Sequence, residues 1–598
     1  MKRVLALILV CALVSVSVAG HLIPAVKAAG EALYVEIPQD SYCRAPAATV
    51  YLPIMMGNLS DTGTMRIRSV EILGKMGKSV TTETLDITLE SMAGSVRSGE
   101  EIRTALGIIP PTAADITRAQ ALIVEARRTA DSKQKSILIE QAFFASRAKQ
   151  SMKHPDELTA DEARIQHLLK TTTLAVDLMQ FATDTTSETA VPVTVRITGE
   201  LAGQPFTVEQ QTTVFLLASL PNGGMWHPGD GHVHTQGLTQ PDTVSQYTAG
   251  YEQFYGFSDA TDLATVLARR DQAYSKGMQW IVITDHAGDD SHFAGPNPIH
   301  LPTNQEPRLE TDEWNIYKTA CTRATTQYSP TVTVCPGEEL ATRELQEVPN
   351  LLTGHLLSYS NSSYAASFGT CGTLTTNVAN AGGFGIIAHP FGGIFWSNWY
   401  AAPWRGLEVV SGQTGYSQQA VDTWDTWLRN SLSDEIAGTV RRVAMANSDV
   451  HSAANTSWGS NMNYIYTGSY SAPGTSPSAV WTSIKQGSLT ASSDGSFAAA
   501  TVNGVYPGYT ASVARNSTVS VVITGTPVST TYTKATVTVF LNGYALTPVI
   551  VTLTGGNFTI PYSVPVSADA YIRVEVSYGI GSNRSGYCFV NPVFIDTY

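Results

Sequence analysis

The chain holds 12 histidines, and nine of them fall in one stretch: His227, His232, His234, His286, His292, His300, His355, His389 and His451. Several stand just after a short apolar run. Trp280-Ile281-Val282-Ile283-Thr284 leads into Asp285-His286, and Val332-Thr333-Val334 leads into Pro336-Gly337-Glu338-Glu339. Phe384-Gly385-Ile386-Ile387-Ala388 leads into His389-Pro390, and Val443-Ala444-Met445-Ala446 into Asn447-Ser448-Asp449-Val450-His451. His232-x-His234 has the spacing that puts both side chains on one face of a strand, so two imidazoles can share an ion. Asp449-x-His451 repeats that spacing with a carboxylate. Adding Glu339, His355, His286 and His389 gives neutral imidazoles and hard oxygens, a mixture that suits Zn²⁺, Mn²⁺ or Fe²⁺ and exceeds what a single four-coordinate ion uses. More than one divalent metal ion is expected. Asp230 and Asp285 sit beside ligands and are expected to serve the chemistry by orienting imidazoles as acceptors. His227, His292 and His300 match no such pattern and read as rim or loop residues.

The elements that position these groups are legible in outline. Near-continuous apolar runs are what parallel strands covered on both faces look like, and helical stretches such as Leu263 to Lys276 and Gln418 to Leu428 lie between them. Ligands at the carboxyl ends of successive parallel strands would converge on one rim of a barrel. On the N-terminal side, Glu31 to Met92 alternates like strands, helical signals run from about Ser98 to Ala182, and alternation returns in Val191 to Thr198 and Phe206 to Leu216. Thr112-x-x-Asp115 and Thr159-x-x-Glu162 are capping-box patterns. This predicts a β-sandwich with a helical excursion. Ser512 to Tyr598 is Thr/Val-rich, with Asn542-Gly543 supplying the positive φ of a tight hairpin, and predicts a second β-sandwich. The expected organisation is a leader at 1–29, an N-terminal sandwich at 30–222 with its excursion at about 98–182, a central barrel at 223–500 and a C-terminal sandwich at 501–598.

Six of these motifs, in order, resemble those of the PHP superfamily of metallohydrolases: Asp230-Gly231-His232-Val233-His234-Thr235, Ile283-Thr284-Asp285-His286, Pro336-Gly337-Glu338-Glu339, Gly354-His355-Leu356-Leu357, Ala388-His389-Pro390 and Asn447-Ser448-Asp449-Val450-His451. The branch most resembled is the carbaryl-hydrolase (CehA/McbA) group, through Trp424-Asp425-Thr426-Trp427-Leu428, Gly487 to Gly495 and Asn591-Pro592-Val593. The resemblance covers Trp226 to Gly495 firmly, the C-terminal region weakly and the first 225 residues not at all. It implies a distorted (β/α)7 barrel holding two or three ions. One would take His232, His234, Glu339 and Asp449; a second Glu339, His355 and His389; a third Asp259, His286 and His451. Asp259 enters because the acidic motif usual shortly after His-x-His is missing here, and Ser258-Asp259-Ala260 is the nearest match. The aromatic insertion between them, with Tyr247, Tyr251, Phe254, Tyr255 and Phe257, is a candidate substrate wall. Hydrolysis by metal-activated hydroxide is implied, of phosphate esters first, with carbamate, carboxyl-ester or amide bonds open.

Other readings are weaker. Gly74-Lys75-Met76-Gly77-Lys78-Ser79 has Ile72 where a phosphate loop needs glycine, and no Gly-x-Ser-x-Gly elbow occurs. Arg269, Arg270, Arg405, Arg441 and Arg442 could anchor a phosphate, but Arg269-Arg270 reads as a solvated helix face. Lys+Arg 37 against Asp+Glu 50 gives a net charge of −13, with no basic run to meet a phosphate backbone, so nucleic acid is not expected. At 598 residues, 43% hydrophobic and 15% charged, the chain should be globular with several cores. Met1-Lys2-Arg3 followed by an apolar run to Ala19 reads as an export signal, removed near Ala29 or after Ala19, or retained as an anchor, and no later stretch is apolar enough to span a membrane. The product would be extracytoplasmic, acting on a small ester. The rival reading is a catalytically silent surface protein whose sandwiches touch glycans or partners. The remaining cysteines match no zinc spacing, and whether Cys321 and Cys335 pair or stay as buried thiols is left open.

Overall fold

The computed structural model describes residues 31–598 apart from 62, 75–78, 97, 148–158, 182–188, 222–223, 236–258, 288–310, 328–331, 342–353, 364, 366–370, 392–403, 413, 452–457, 469–476, 555 and 581–582. The leader at 1–29, His292, His300 and the aromatic insertion lie outside the described residues. No helix among the described residues is long and apolar enough to cross a membrane.

The N-terminal region holds β1 (Leu33–Glu36), β2 (Ser41–Arg44), β3 (Thr49–Asn58), β4 (Met65–Leu73), β5 (Ser79–Leu89), β6 (Lys170–Asp177), β7 (Thr189–Leu201) and β8 (Gln204–Leu217). They form a three-stranded sheet β1-β3-β6 and a five-stranded sheet β2-β8-β7-β4-β5. Alternation decides how these meet. Val50, Leu52 and Ile54 of β3 share one buried cluster with Met65, Ile67 and Val70 of β4 and Val193, Val195 and Ile197 of β7. Between β5 and β6 the chain forms α1 (Gly99–Leu106), α2 (Ala113–Arg128), α3 (Ser132–Ser146) and α4 (Ala160–Leu168). Both capping boxes form, Thr112 with Asp115 and Thr159 with Glu162, satisfying amides that the first helical turn leaves without partners.

The central region runs through β9 (Trp226–Val233), α5 (Asp259–Ser275), β10 (Trp280–Ile283), β11 (His286–Ala287), α6 (Thr311–Thr326), β12 (Thr333–Ala341), β13 (His355–Tyr359), α7 (Cys371–Asn380), β14 (Phe384–Ile387), β15 (Gly406–Ser411), β16 (Gly415–Tyr416), α8 (Gln418–Asn430), α9 (Leu432–Ala437), β17 (Val443–Ala446), β18 (Met462–Tyr466), α10 (Ser478–Gln486) and β19 (Leu489–Ser492). The C-terminal strands are β20 (Phe497–Val502), β21 (Thr510–Val513), β22 (Ser517–Thr526), β23 (Lys534–Leu541), β24 (Tyr544–Ala545), β25 (Val549–Thr552), β26 (Phe558–Val566), β27 (Ala570–Ile580) and β28 (Asn583–Thr597). Asn542 and Gly543 turn β23 into β24 with φ of 51° and 79°.

Here the expected fold is corrected: the (β/α)7 barrel between two separate sandwiches is not what the chain forms. β9, β10 and β12 are parallel, as are β14, β15 and β17. β13, however, is antiparallel to both β12 and β14, and β18 is antiparallel to β9 and β19. The sheet does not end near residue 500 either. β19 pairs with β28, which pairs in turn with β27, so β21, β23, β24, β25, β27 and β28 belong to the same closed sheet as the central strands. β20, β22 and β26 cover it as a separate three-stranded sheet, with Val519, Val521 and Ile523 against Val537, Val574 and Val590. The physical reason is that a continuous apolar run reports burial on both faces and says nothing of direction. Trp280 and Val282 face a core shared with Cys335, Leu357 and Met445, while Ile281 and Ile283 face α5 and α6 through Leu263, Val266 and Trp314.

The N-terminal sheets are tied to the central region by polar contacts. Tyr42 Oη donates to the carbonyl of Trp458 at 3.3 Å, and Lys276 Nζ donates to the carbonyl of Tyr42 at 3.1 Å while lying 3.4 Å from the Tyr42 ring centroid. Burial pushes the Lys276 amine down to about 7; Asp40 and Cys43 oppose this, and Arg44 and Arg147 add to it. The folded chain then binds fewer protons than the unfolded one between about pH 7 and 10. Stability is expected to rise with pH across that window, and Lys276→Met to flatten the slope; thermal midpoints of the two proteins across it are the check.

Candidate metal centre

β9 brings in the first groups at close quarters. A Cβ at Gly231 would stand 2.7 Å from Tyr359 Oη and 2.8 Å from Asn447 Oδ1, so only glycine lets the strand lie this near. The Gly231 amide donates to Asn447 Oδ1 at 3.0 Å, and Tyr359 Oη donates to the Gly231 carbonyl at 2.6 Å. His232 and His234 follow, both wholly buried. β12 contributes Glu339 from the middle of its run, and strand alternation turns Glu338 to the other side, where Asn361 Nδ2 donates to it at 2.9 Å. His355 opens β13, His389 follows β14 and Asp449 follows β17. His389 and Asp449 carry φ of 26° and 51°, conformations that cost non-glycine residues about 1–3 kcal/mol and persist where the surroundings fix them.

These side chains form two groups that meet at one residue. Glu339 Oε2 lies 3.3 Å from His232 Nε2 and 3.1 Å from His234 Nε2. Asp449 Oδ1 lies 3.1 Å and 3.2 Å from the same two nitrogens. The other oxygen, Glu339 Oε1, lies 2.9 Å from His355 Nδ1 and 3.2 Å from His389 Nε2. Within each group the donor atoms all fall within 4.8 Å of one another.

Glu408, which sequence reasoning missed, fixes the chemistry of His232. It is buried in β15, and its Oε1 accepts from His232 Nδ1 at 2.9 Å and from Asn447 Nδ2 at 2.8 Å. A carboxylate only accepts, so Nδ1 carries the proton and a neutral His232 presents a lone pair at Nε2. That atom makes no hydrogen bond among the described residues, yet it faces two carboxylate oxygens. Three acceptors converging in a buried space need a cation or a proton between them. Burial opposes the proton on His232, but Asp449, Glu339 and Glu408 more than reverse that and hold the imidazole well above its ordinary range. The donor set of imidazoles and carboxylates fits a divalent ion in each group. The signal for Glu408 was available: it is the lone charge in Gly406-Leu407-Glu408-Val409-Val410, and a charge on a strand buried on both faces must have a partner.

No family model matches the chain, and no curated protein matches it. Among solved structures, a CARDB domain from Pyrococcus furiosus in complex with di-metal ions is 12% identical, with 17% of this chain and 96% of that one covered at a TM-score of 0.13. Apo β-glucuronidase 3 of Bacteroides uniformis is 8% identical, with 95% of this chain and 64% of that one covered at 0.17. A glycosyl hydrolase family 2 member from Bacteroides cellulosilyticus is 10% identical, with 95% and 63% covered at 0.15. The chain thus spans just under two thirds of those two enzymes. Likenesses this slight identify neither a fold nor a site.

Of the nine metal ligands expected from the sequence, the structure brings six together: His232, His234, Glu339, His355, His389 and Asp449. His451 sits beside them, its ring stacked on His234 at 3.9 Å and its Nδ1 3.7 Å from Asp449 Oδ1. The backbone of His286 pairs with Glu339 across β11 and β12, and Asp259 opens α5; the side chains of both lie outside the described part. Asp285 accepts from the Thr235 amide at 2.6 Å and from the Thr235 hydroxyl, and at 4.0 Å its Oδ1 stands beyond hydrogen-bond reach of His234 Nδ1. Asp230 does not orient an imidazole: its Oδ1 accepts from the His232 and Ser448 amides at 3.0 and 3.2 Å, holding two strand ends together, and the imidazole role falls to Glu408.

Three further corrections concern residues set aside. Arg269 and Arg270 are buried, not a solvated face. Arg269 Nε donates to the His234 carbonyl at 2.6 Å and Nη2 to the His451 carbonyl at 2.9 Å, so it clamps two ligand-bearing segments from beneath. His227 is no rim residue; it is buried at the start of β9, with Nδ1 2.6 Å from Gln279 Oε1.

Proposed function

We propose that this chain is a metal-dependent hydrolase of esters, phosphate esters first, and that it acts outside the cytoplasm. One observation carries the reading: the two oxygens of a single buried carboxylate, Glu339, face two separate sets of imidazoles. His232, His234, Glu339 and Asp449 would hold one divalent ion, and Glu339, His355 and His389 a second. Ions held there supply Lewis acidity, polarising a substrate oxygen and offsetting charge on the leaving group. The protein's own residues provide the frame. Glu408 sets which nitrogen His232 presents, Arg269 fixes the carbonyls of His234 and His451, and Asp230 ties β9 to the segment after β17. His451 keeps 15% of its side chain exposed beside fully buried imidazoles, so substrate would approach on its side.

The order of motifs resembling the PHP superfamily supports phosphate esters over other bonds. The features shared with the carbaryl-hydrolase group support the alternative less. Trp424 is buried with its Nε1 donating to the Arg442 carbonyl at 3.1 Å, and Asp425 pairs with Arg573; both hold α8 to the sheet. Aryl phosphate monoesters, diesters and aryl carbamates, assayed with the Mn²⁺- or Zn²⁺-loaded protein, are the test. Metal-dependent turnover of a phosphate ester is expected; inertness toward all three with metal bound would favour a silent scaffold.

A further inference from the structure

Glu408 touches both groups of ligands. Its Oε1 fixes His232, which belongs to the first, while its Oε2 accepts from the backbone amide of His389 at 2.7 Å, which belongs to the second. That amide sits in the residue whose φ of 26° is left-handed, so the bond secures a backbone conformation His389 would not otherwise keep. The carboxylate is itself held by Asn447 Nδ2 and is 1% exposed, which leaves it little freedom to serve the two sides independently.

We propose that Glu408 is a positioning residue that couples the two metal groups, so that filling one raises the affinity of the other. The inference rests on the reading that both groups hold ions. The shared ligand Glu339 cannot supply this coupling by charge, since two cations on one carboxylate repel each other. Preorganisation can: an ion on Nε2 of His232 strengthens the Nδ1–H bond to Glu408, and a carboxylate ordered by that bond already presents its second oxygen to His389. By linkage the effect is reciprocal.

Glu408→Gln separates the two arms, because an amide has one accepting oxygen. With that oxygen toward His232 and Asn447, the amide NH₂ meets the His389 N–H donor to donor; flipped, it meets the other two donors. Calorimetric titration of the metal-free full chain with Zn²⁺ should show two ions binding cooperatively in the wild type, with a Hill coefficient of roughly 1.5–1.8 for a coupling of about 10–100-fold. In Glu408→Gln one ion should bind about 10–100-fold more weakly and the coefficient fall to about one. A wild-type isotherm in the variant would overturn the proposal. Should Glu408→Gln not fold, His355→Ala gives an independent reading: with the second group disabled, the remaining ion should bind at least about tenfold more weakly than the second ion of the wild type, and an affinity equal to that of the second ion would equally overturn it. A wild type that takes up no Zn²⁺ refutes the metal-centre reading itself, a different outcome from either.

Discussion

Glu339→Ala should empty both metal groups in one step, whereas His355→Ala should leave one ion per chain. The asymmetry follows from geometry: Glu339 supplies an oxygen to each group, and His355 meets only Oε1. Turnover in Glu339→Ala should fall on the order of a thousandfold or more, since the loss removes the charge stabilisation on which the chemistry would depend. The chain should still fold, because the variant deletes a buried carboxylate and leaves imidazoles that can bind neutral. Element analysis beside far-ultraviolet circular dichroism reads both outcomes. Equal metal content in the two variants would count against a bridging Glu339.

The second large effect lies far from the centre. Asp425 on α8 and Arg573 on β27 form a buried pair, with Arg573 Nε donating to Asp425 Oδ1 at 2.7 Å and Tyr571 Oη donating to the same oxygen at 2.9 Å. Burial alone would lower the Arg573 proton affinity, and Asp425 and Glu575 more than restore it. Asp425→Ala leaves a guanidinium 1% exposed with half its partners gone, which should cost about 3–5 kcal/mol. Because α8 belongs to the central region and β27 to the continuous closed sheet, tryptophan fluorescence and circular dichroism should lose stability together in denaturant. Were the C-terminal strands an independent sandwich, the central tryptophans would unfold at an unchanged midpoint.

How far the sequence carried the account differs between side chains and backbone. Candidate ligands were readable because polar groups in or just after buried strands are expensive unless they meet something: His232 and Glu339 lie within β9 and β12, and His389 and Asp449 follow β14 and β17. The capping boxes and the Asn542-Gly543 turn were readable because their signals are local. Strand direction was not. Nothing in Leu356-Leu357 of β13 or Tyr464-Ile465 of β18 distinguishes an antiparallel strand from a parallel one when both faces are buried. The join between β19 and β28 was hidden for another reason: it links residues about a hundred positions apart, through a strand whose alternation is satisfied equally by a separate sandwich. Arg269 was misread because a helical stretch alone does not reveal which face lies under a site. Glu408 carries only the signal of a lone charge in a buried strand, with no histidine or second carboxylate in the run from Gly406 to Val410 to mark it as part of a site.

On the proposed reading, two ions flank one carboxylate. Anomalous scattering from crystals grown with Zn²⁺ tests it most directly. Two peaks are expected on either side of the Glu339 carboxylate, one among His232, His234 and Asp449 and the other between His355 and His389. Strong peaks elsewhere in the chain with none at Glu339, or a single peak that makes no contact with it, would contradict the account.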